Sequence, residues 1–363
     1  MKESNLSKPT EQAKPYLLYY LQSSEDEFKA CFDCLKAELK KNYRLILLSG
    51  DCQILEENRD GCYSAIQVPE KPEPEIRIRR YQSAFENILR DKGTLVWAKA
   101  FLDIFEQYHD NSFFISDVSA ELTILASLVG LPVIHFRYNA NIKEDPTQVF
   151  AYECANCIVA PYTAAVENYH YGYRDKTRYL NFFTDKKCGF NDESKEQVIT
   201  IVLPDHDIKL STLVDIVEVC KRPINIVGIP DLQYKETLDQ YPNVYFAGSI
   251  EYLSESIKGN IVIAPARNGL IAELICLGKR SILIPKPRPH AEQHNKAFMM
   301  EEAGLAVTLM PGHDGRLDDN AFYKALVKAQ KIDTDQYEKA LNATPGIDLV
   351  NVIHTIDTSS IKA

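Results

Sequence analysis

The sequence predicts an α/β protein of two Rossmann-like, doubly wound domains facing a central cleft, with C-terminal helices. Three observations predict it. Short apolar runs bounded by turn residues alternate with longer segments of helical period along most of the chain. The alternation stops over residues 163–194 and then restarts. The chain's 363 residues exceed one compact core of ordinary size and suit two domains.

In the first half, strands are expected at 16–21, 45–49, 64–68, 113–116, 133–136 and 158–160. These runs are apolar on both faces, as buried parallel strands are. Crossover helices are expected between them at 26–40, 76–89, 95–108, 121–128 and 147–155. Residues 163–194 are rich in Tyr, Asn, Lys and Asp, contain Gly172 and Gly189, and show no period, as an interdomain connection does. The second set of strands is expected at 198–203, 224–227, 244–247, 261–264, 281–284 and 306–309. Helices follow at 210–220, 232–240, 252–257, 269–277 and 292–303, with tail helices at 320–329, 336–341 and 347–356.

The domains so expected are a disordered polar leader at 1–14, a first domain at 15–165, a linker at 166–194, a second domain at 195–345, and a C-terminal helix and tail at 346–363. In such sheets ligands bind beyond the carboxyl ends of the strands where strand order reverses, so a two-domain version works in the cleft between its halves.

The net charge of -10 and pI of about 5.4 speak against a nucleic-acid partner, which calls for a basic face. No apolar run reaches the roughly 20 residues that cross a bilayer. The polar start has no apolar signal core, so a cytoplasmic location is expected. The nine cysteines are then expected to stay reduced. Cys31 with Cys34, and Cys154 with Cys157, could offer four thiolates to zinc. The first pair lies on an amphipathic helix and Cys157 starts an apolar strand, so buried thiols are expected and no metal site.

The informative stretch is 260–298. A strand ends at Pro265 and a helix follows, with Asn268 as the expected N-cap. Gly269 lets backbone N–H groups approach a ligand at the positive end of the helix, a setting for a diphosphate. Glu273 lies about one turn into the helix, within reach of a ribose diol. The next strand leaves through a proline-stiffened loop, Pro285 to His290, which delivers Glu292 and Gln293 to a second helix start where sugar hydroxyls could meet them.

That order of features resembles the C-terminal domain of GT-B glycosyltransferases, in particular the family 28 group that includes the lipid II-forming N-acetylglucosaminyltransferase. The residues that carry the resemblance are Asn268 and Gly269, Glu273 and Leu274, Gly278 to Arg280, the strand 282–285, Glu292 and Gln293, Ala297, and Glu302 to Gly304. The run Val244 to Ile250 and, more loosely, Asp117 to Glu121 and the strand ending at Pro161 match other parts of the pattern.

The resemblance implies a GT-B fold and a nucleotide-sugar donor, UDP-sugar above all. It implies Glu273 on the ribose, Arg267, Asn268 and Gly269 at the diphosphate, Glu292 and Gln293 at the donor sugar, and Ser249 and Ile250 at the base. It further implies transfer to an envelope or polysaccharide-type glycan or a lipid-linked acceptor, with peripheral association at the inner face of a membrane. No cofactor is implied beyond the donor substrate. An inverting, metal-independent mechanism is expected, with no acidic pair of the DxD type at a strand end.

Two glycine-rich loops of the family are missing here. The loop after the first strand is Gln22 to Asp26, without glycine or histidine, and the one after the first strand of the second domain is Leu203 to Asp207. The catalytic base is therefore sought in Asp117 and Glu121, then in Glu25 or Asp26, with His206 and His290 as further cleft candidates. Asp117 has a simpler reading as the cap of the helix holding Glu121. Two other functions stay open: a nucleotide-sugar hydrolase or epimerase on the same scaffold, and a GT-B protein that binds nucleotide without turnover. The basic run Arg77 to Arg80 could meet acidic lipid or phosphate, or simply be solvated.

Overall fold

The computed structural model of the chain describes residues 14–22, 26–70, 92–143, 145–186, 189, 197–228, 231–246, 248–312 and 314–360. Residues 1–13 of the expected leader, the helix expected at 76–89 with its basic run, and Glu25 lie outside these.

The first domain runs β1 (Tyr16–Tyr20), α1 (Asp26–Asn42), β2 (Arg44–Ser49), α2 (Cys52–Asn58), β3 (Ser64–Gln67), α3 (Lys92–Tyr108), β4 (Ser112–Asp117), α4 (Ala120–Leu128), β5 (Val133–Phe136), α5 (Pro146–Cys154), β6 (Cys157–Ala160) and β7 (Thr177–Tyr179). Its sheet is parallel in the order β3-β2-β1-β4-β5-β6-β7. The second domain runs β8 (Ile199–Val202), α6 (Leu210–Val219), β9 (Ile224–Val227), α7 (Leu232–Leu238), β10 (Val244–Phe246), α8 (Leu253–Ser256), β11 (Ile261–Ala264), α9 (Asn268–Cys276), β12 (Arg280–Leu283), α10 (Glu292–Glu302), β13 (Val307–Thr308), α11 (Asp319–Ala329) and α12 (Tyr337–Ala340). Its sheet is also parallel, in the order β10-β9-β8-β11-β12-β13. The helix α13 (Pro345–Ser360) follows.

The apolar runs become strands because each is covered on both faces. All four residues of β11, Ile-Val-Ile-Ala, are buried, and so are those of β5, β6, β8 and β9. Helix starts are fixed by short acceptors: Asp51 caps α2, Ser119 α4, Asp145 α5, Asp231 α7 and Asp318 α11.

Two elements escaped the sequence reading. The helix α2 buries only Ile54, Leu55 and Asn58, too few to build a period. The segment 163–194 was expected to be irregular, yet it supplies β7, three residues of which only Thr177 is buried. A short, polar edge strand leaves no pattern to read. Cys276, at the end of α9, is disulfide-bonded, which corrects the expectation that all nine cysteines stay reduced. Seven others are free thiols. Burial pushes the Cys34 thiol up to about 12 and that of Cys157 to about 11, so both keep their protons at neutral pH.

The order of strands reverses between β1 and β4 in the first sheet and between β8 and β11 in the second. These two crevices set where ligands can sit. Leaving the second domain, the chain returns to the first. Leu349, Val350, Ile353 and Ile356 of α13 join one buried cluster with Leu17, Phe32, Leu35, Leu39 and Tyr43. The outward and return passages are tied together, because Phe182 donates its N–H to Ala340 (2.8 Å) and Asn342 donates to Phe182 (2.8 Å).

Candidate functional site

β11 ends at Ala264 and α9 begins at Asn268, with three residues between them. The expected cap is corrected: α9 starts on Asn268 and its N-cap is Arg267, which makes no side-chain cap hydrogen bond. Asn268 instead donates its amide across the domain boundary to the Pro161 carbonyl at 3.1 Å. The helix start is therefore not closed by a side chain of its own. A Cβ added at Gly269 would meet nothing within 4 Å, so the space above the first turn is open.

That space is a cavity of about 410 Å³ between the domains. Asn268, Gly269 and Glu273 line it from α9, Arg267 from the N-cap, and Ile250 from the loop after β10. Gly228 places Ile250: its φ is +78° and a Cβ there would lie 2.5 Å from the Ile250 side chain and 2.4 Å from the Leu203 carbonyl. Five of the residues expected at a nucleotide thus share one wall. Burial, with Asp185 beside it, pushes the Glu273 carboxyl up to about 7 against the opposing pull of Lys186.

The opposite wall belongs to residues the sequence did not single out: Lys29 and Asp33 of α1, Tyr138, and Phe183, Asp185 and Lys186 of the connection. Only the fold brings α1 and the connection onto α9. Asp33 falls inside the Cys31–Cys34 pair and Lys186 lies near Gly189, but neither feature points to a ligand.

The other expected residues stand elsewhere. Ser249 is exposed beside Ile250, where its hydroxyl caps the following turn by accepting from Glu251 N–H (3.3 Å). Gln293 is buried, and its carbonyl accepts the Lys286 N–H at 2.9 Å, which pins the proline-rich loop to α10. Glu292 pairs with the wholly buried Lys296. Neither of them lines the cavity.

Asp117 is wholly buried at the end of β4 and is not the cap of α4, a role that Ser119 takes. It lies with Glu121 beside Tyr20, whose phenol burial raises and the two carboxylates raise further, Glu121 more strongly. Both acids thus sit at the switch point of the first sheet, outside the cavity on α9. Between them Val118 adopts a φ of +55°, a left-handed backbone that a β-branched residue rarely accepts.

His206 is half exposed, 3.6 Å from Asp231 and edge-on to Tyr234. His290 lies 3.5 Å from Asp145 of the first domain, and the Asn141 N–H donates to its carbonyl at 2.9 Å. Asn295 donates to the Asn139 carbonyl at 3.3 Å beside it. These contacts draw the loop after β12 onto the first domain. That receiving loop is anchored by the buried pair Arg137 and Glu167 (3.2 Å), with Arg137 stacked 3.7 Å over Tyr171 and the Tyr162 hydroxyl donating to Glu167 (3.0 Å).

An acidic pair does stand at a strand end, which corrects the sequence expectation. β8 exits through Asp205 and Asp207. Asp207 accepts from Arg267 Nε and, at 2.8 Å, from Lys286 Nζ, while Arg267 also lies 3.8 Å from Asp205. Burial would raise the Asp207 carboxyl, but the hydrogen bonds from Arg267 and Lys286 hold it below the usual range. Among the described residues, no group of three or more His, Cys, Asp or Glu is arranged to hold a metal ion. Nor, among them, is any helix long and apolar enough to cross a membrane.

No protein-family model matches the chain, and no curated protein sequence matches it. Solved structures do. The spinosyn rhamnosyltransferase SpnG superposes with a TM-score of 0.62 at 14% identity, over 94% of this chain and 100% of that one. Its complex with thymidine diphosphate gives a TM-score of 0.64 at 14% identity and the same coverage. MurG of Acinetobacter baumannii gives 0.64 at 13% identity, again over 94% and 100%. The chain has the GT-B fold of these glycosyltransferases.

Proposed function

We propose that the protein is a glycosyltransferase that moves a sugar from a nucleotide-sugar donor, UDP-linked or closely similar, to a glycan or lipid-linked acceptor. The observation that carries this reading is the α9 wall: a helix start with no side-chain cap, open space over Gly269, and Glu273 one turn further on in the same cavity. A nucleoside diphosphate asks for such a wall. Its phosphates lie at the positive helix end and its ribose hydroxyls donate to the carboxylate, while Ile250 offers an apolar surface for the base. A neighbour of the same fold is known with thymidine diphosphate bound, which supports the class of ligand.

Transfer with inversion needs a base on the acceptor hydroxyl and stabilisation of the departing diphosphate. The helix dipole and Arg267 supply the second. For the first we propose Glu121, half-buried on the opening turn of α4 at the first domain's switch point. Asp117, wholly buried behind it, would act on it through charge. Envelope-type acceptors, a metal-independent step and a place at the inner membrane face remain parts of this proposal.

Calorimetry with UDP, TDP, GDP and their sugar conjugates tests the donor, followed by product analysis with and without glycan acceptors. Binding of at least one nucleoside diphosphate, lost in Glu273→Ala, is expected. Full affinity in that variant would sink the reading. Free sugar formed without an acceptor would favour a hydrolase, and binding without any turnover would favour a nucleotide-holding protein.

A further inference from the structure

The exit of β8 carries two acids, Asp205 and Asp207. Two carboxylates one residue apart beside a diphosphate site ordinarily invite a divalent cation. In this protein both oxygens of Asp207 already serve side-chain cations, Arg267 on one and Lys286 on the other. Arg267 comes from the end of β11 and Lys286 from the end of β12, neighbouring strands of the sheet. One buried carboxylate thus gathers two long, flexible side chains from separate loops.

The arrangement has a front and a back. The Asp207 side chain is 0% exposed, whereas Arg267 is 17% and Lys286 31% exposed. An anion arriving from solvent meets the cations first and the carboxylate only behind them. The three charges sum to one positive charge, and Asp205, about half exposed, stands at the rim. A loose Arg and Lys would lose rotamer freedom on grasping a phosphate. Held by Asp207, they have lost it already on folding, so binding need not supply that cost again.

We propose that Asp207 is a positioning residue that holds Arg267 and Lys286 as a two-cation clamp for the donor's diphosphate, in the place where an acidic pair would otherwise recruit a divalent cation. This rests on the nucleotide-sugar reading above. Arg267 is the N-cap residue of α9 and lines the cavity, and Asp207 ties Lys286 to it from outside that lining, so the pair adds to the helix dipole on the phosphates as they take up charge on departure.

The test is calorimetry of UDP and of uridine against the wild-type chain, Asp207→Asn, the Arg267→Gln/Lys286→Gln double variant, and the triple variant. UDP titrations are repeated with EDTA and with magnesium. Asp207→Asn should bind UDP at least tenfold more weakly with uridine affinity unchanged, a split that general loosening of the fold would not produce. The same substitution should change UDP affinity less than twofold once both cations are gone. EDTA and magnesium should leave the wild type unchanged. The clamp is overturned if Asp207→Asn binds UDP normally, if it loses uridine and UDP equally, or if magnesium strengthens wild-type UDP binding several-fold. Should Asp207→Asn not fold, Asp207→Glu, which keeps the charge and displaces both cations by one methylene, faces the same expectations. A wild type that binds no nucleoside diphosphate removes the donor reading and the clamp together, whereas normal UDP binding by the variant removes the clamp alone.

Discussion

Replacing Glu273 by glutamine should make the protein more stable and a poorer binder at once. Burial lifts this carboxyl from 4.5 to about 7, Lys186 pulls it down and Asp185 pushes it up again. In a dry site that rise corresponds to ~3 kcal/mol against the charged form. Glu273 lines an open cavity, so screening by water reduces this to ~1–2 kcal/mol. The sign follows from proton binding. Below pH 4.5 the folded and unfolded chains both carry the proton and the group contributes nothing. Between 4.5 and about 7 the unfolded chain ionises first, so stability falls as pH rises; above about 7 the whole cost is present. Glu273→Gln escapes that cost, and urea unfolding at pH 8 should show it ~1–2 kcal/mol more stable than wild type, with the gap closing towards pH 5. UDP binding should move the other way. Losing a carboxylate that accepts from two ribose hydroxyls removes about 2 kcal/mol, roughly a 30-fold loss of affinity. Wild-type affinity should itself decline as the pH drops below about 7 and the carboxyl takes up its proton. A Glu273→Gln protein with unchanged UDP affinity, or a stability gap equal at pH 5 and pH 8, would refute the reasoning.

Gly269→Ala should fold normally, because nothing lies within 4 Å of its Cβ position, yet bind UDP about tenfold more weakly since that methyl takes ligand space; calorimetry with a thermal melt reads both. Arg137→Met strands Glu167 in the interior and should cost ~3–5 kcal/mol in urea unfolding, most of it recovered by adding Glu167→Gln. Val118→Gly relieves a φ of +55° and should raise stability by ~1 kcal/mol in urea unfolding; a loss would refute the strain. Glu121→Gln should leave UDP affinity intact while lowering turnover by two orders of magnitude or more, the usual worth of ~10²–10⁴ for a general base. Turnover unchanged in Glu121→Gln and in Asp117→Asn would remove both acids from the mechanism.

The alternating sheets were legible because a parallel strand must be apolar on both faces, and β8, β9 and β11 have little choice of composition. The α9 wall was legible for a related reason: turn, helix start and carboxylate lie within one short stretch, so their relative positions are fixed locally. The opposite wall was not. Asp33, Tyr138 and Lys186 are far apart in the chain and meet only through the packing of two domains. Glu292 and Gln293 show the converse limit, since a polar side chain at a helix start looks the same whether it faces a ligand or pins a loop. Asp205 and Asp207 stand in a loop whose sequence alone shows two acids and no glycine, which fits a cation site and a cation-holding site equally. What separates the two meanings is the pair of cations from other strands.

The helix α13 has a bearing on the order of assembly. A ribosome releases the first domain's strands early, but Leu349, Ile353 and Ile356, which pack with residues of α1, emerge only after the strands of both sheets. Until then Phe32, Leu35 and Leu39 lack that cover, so the first lobe is completed only after the strands of the second have been made. A shortened chain ending before residue 345 would not yield two free-standing halves but a finished second lobe joined to an unfinished first.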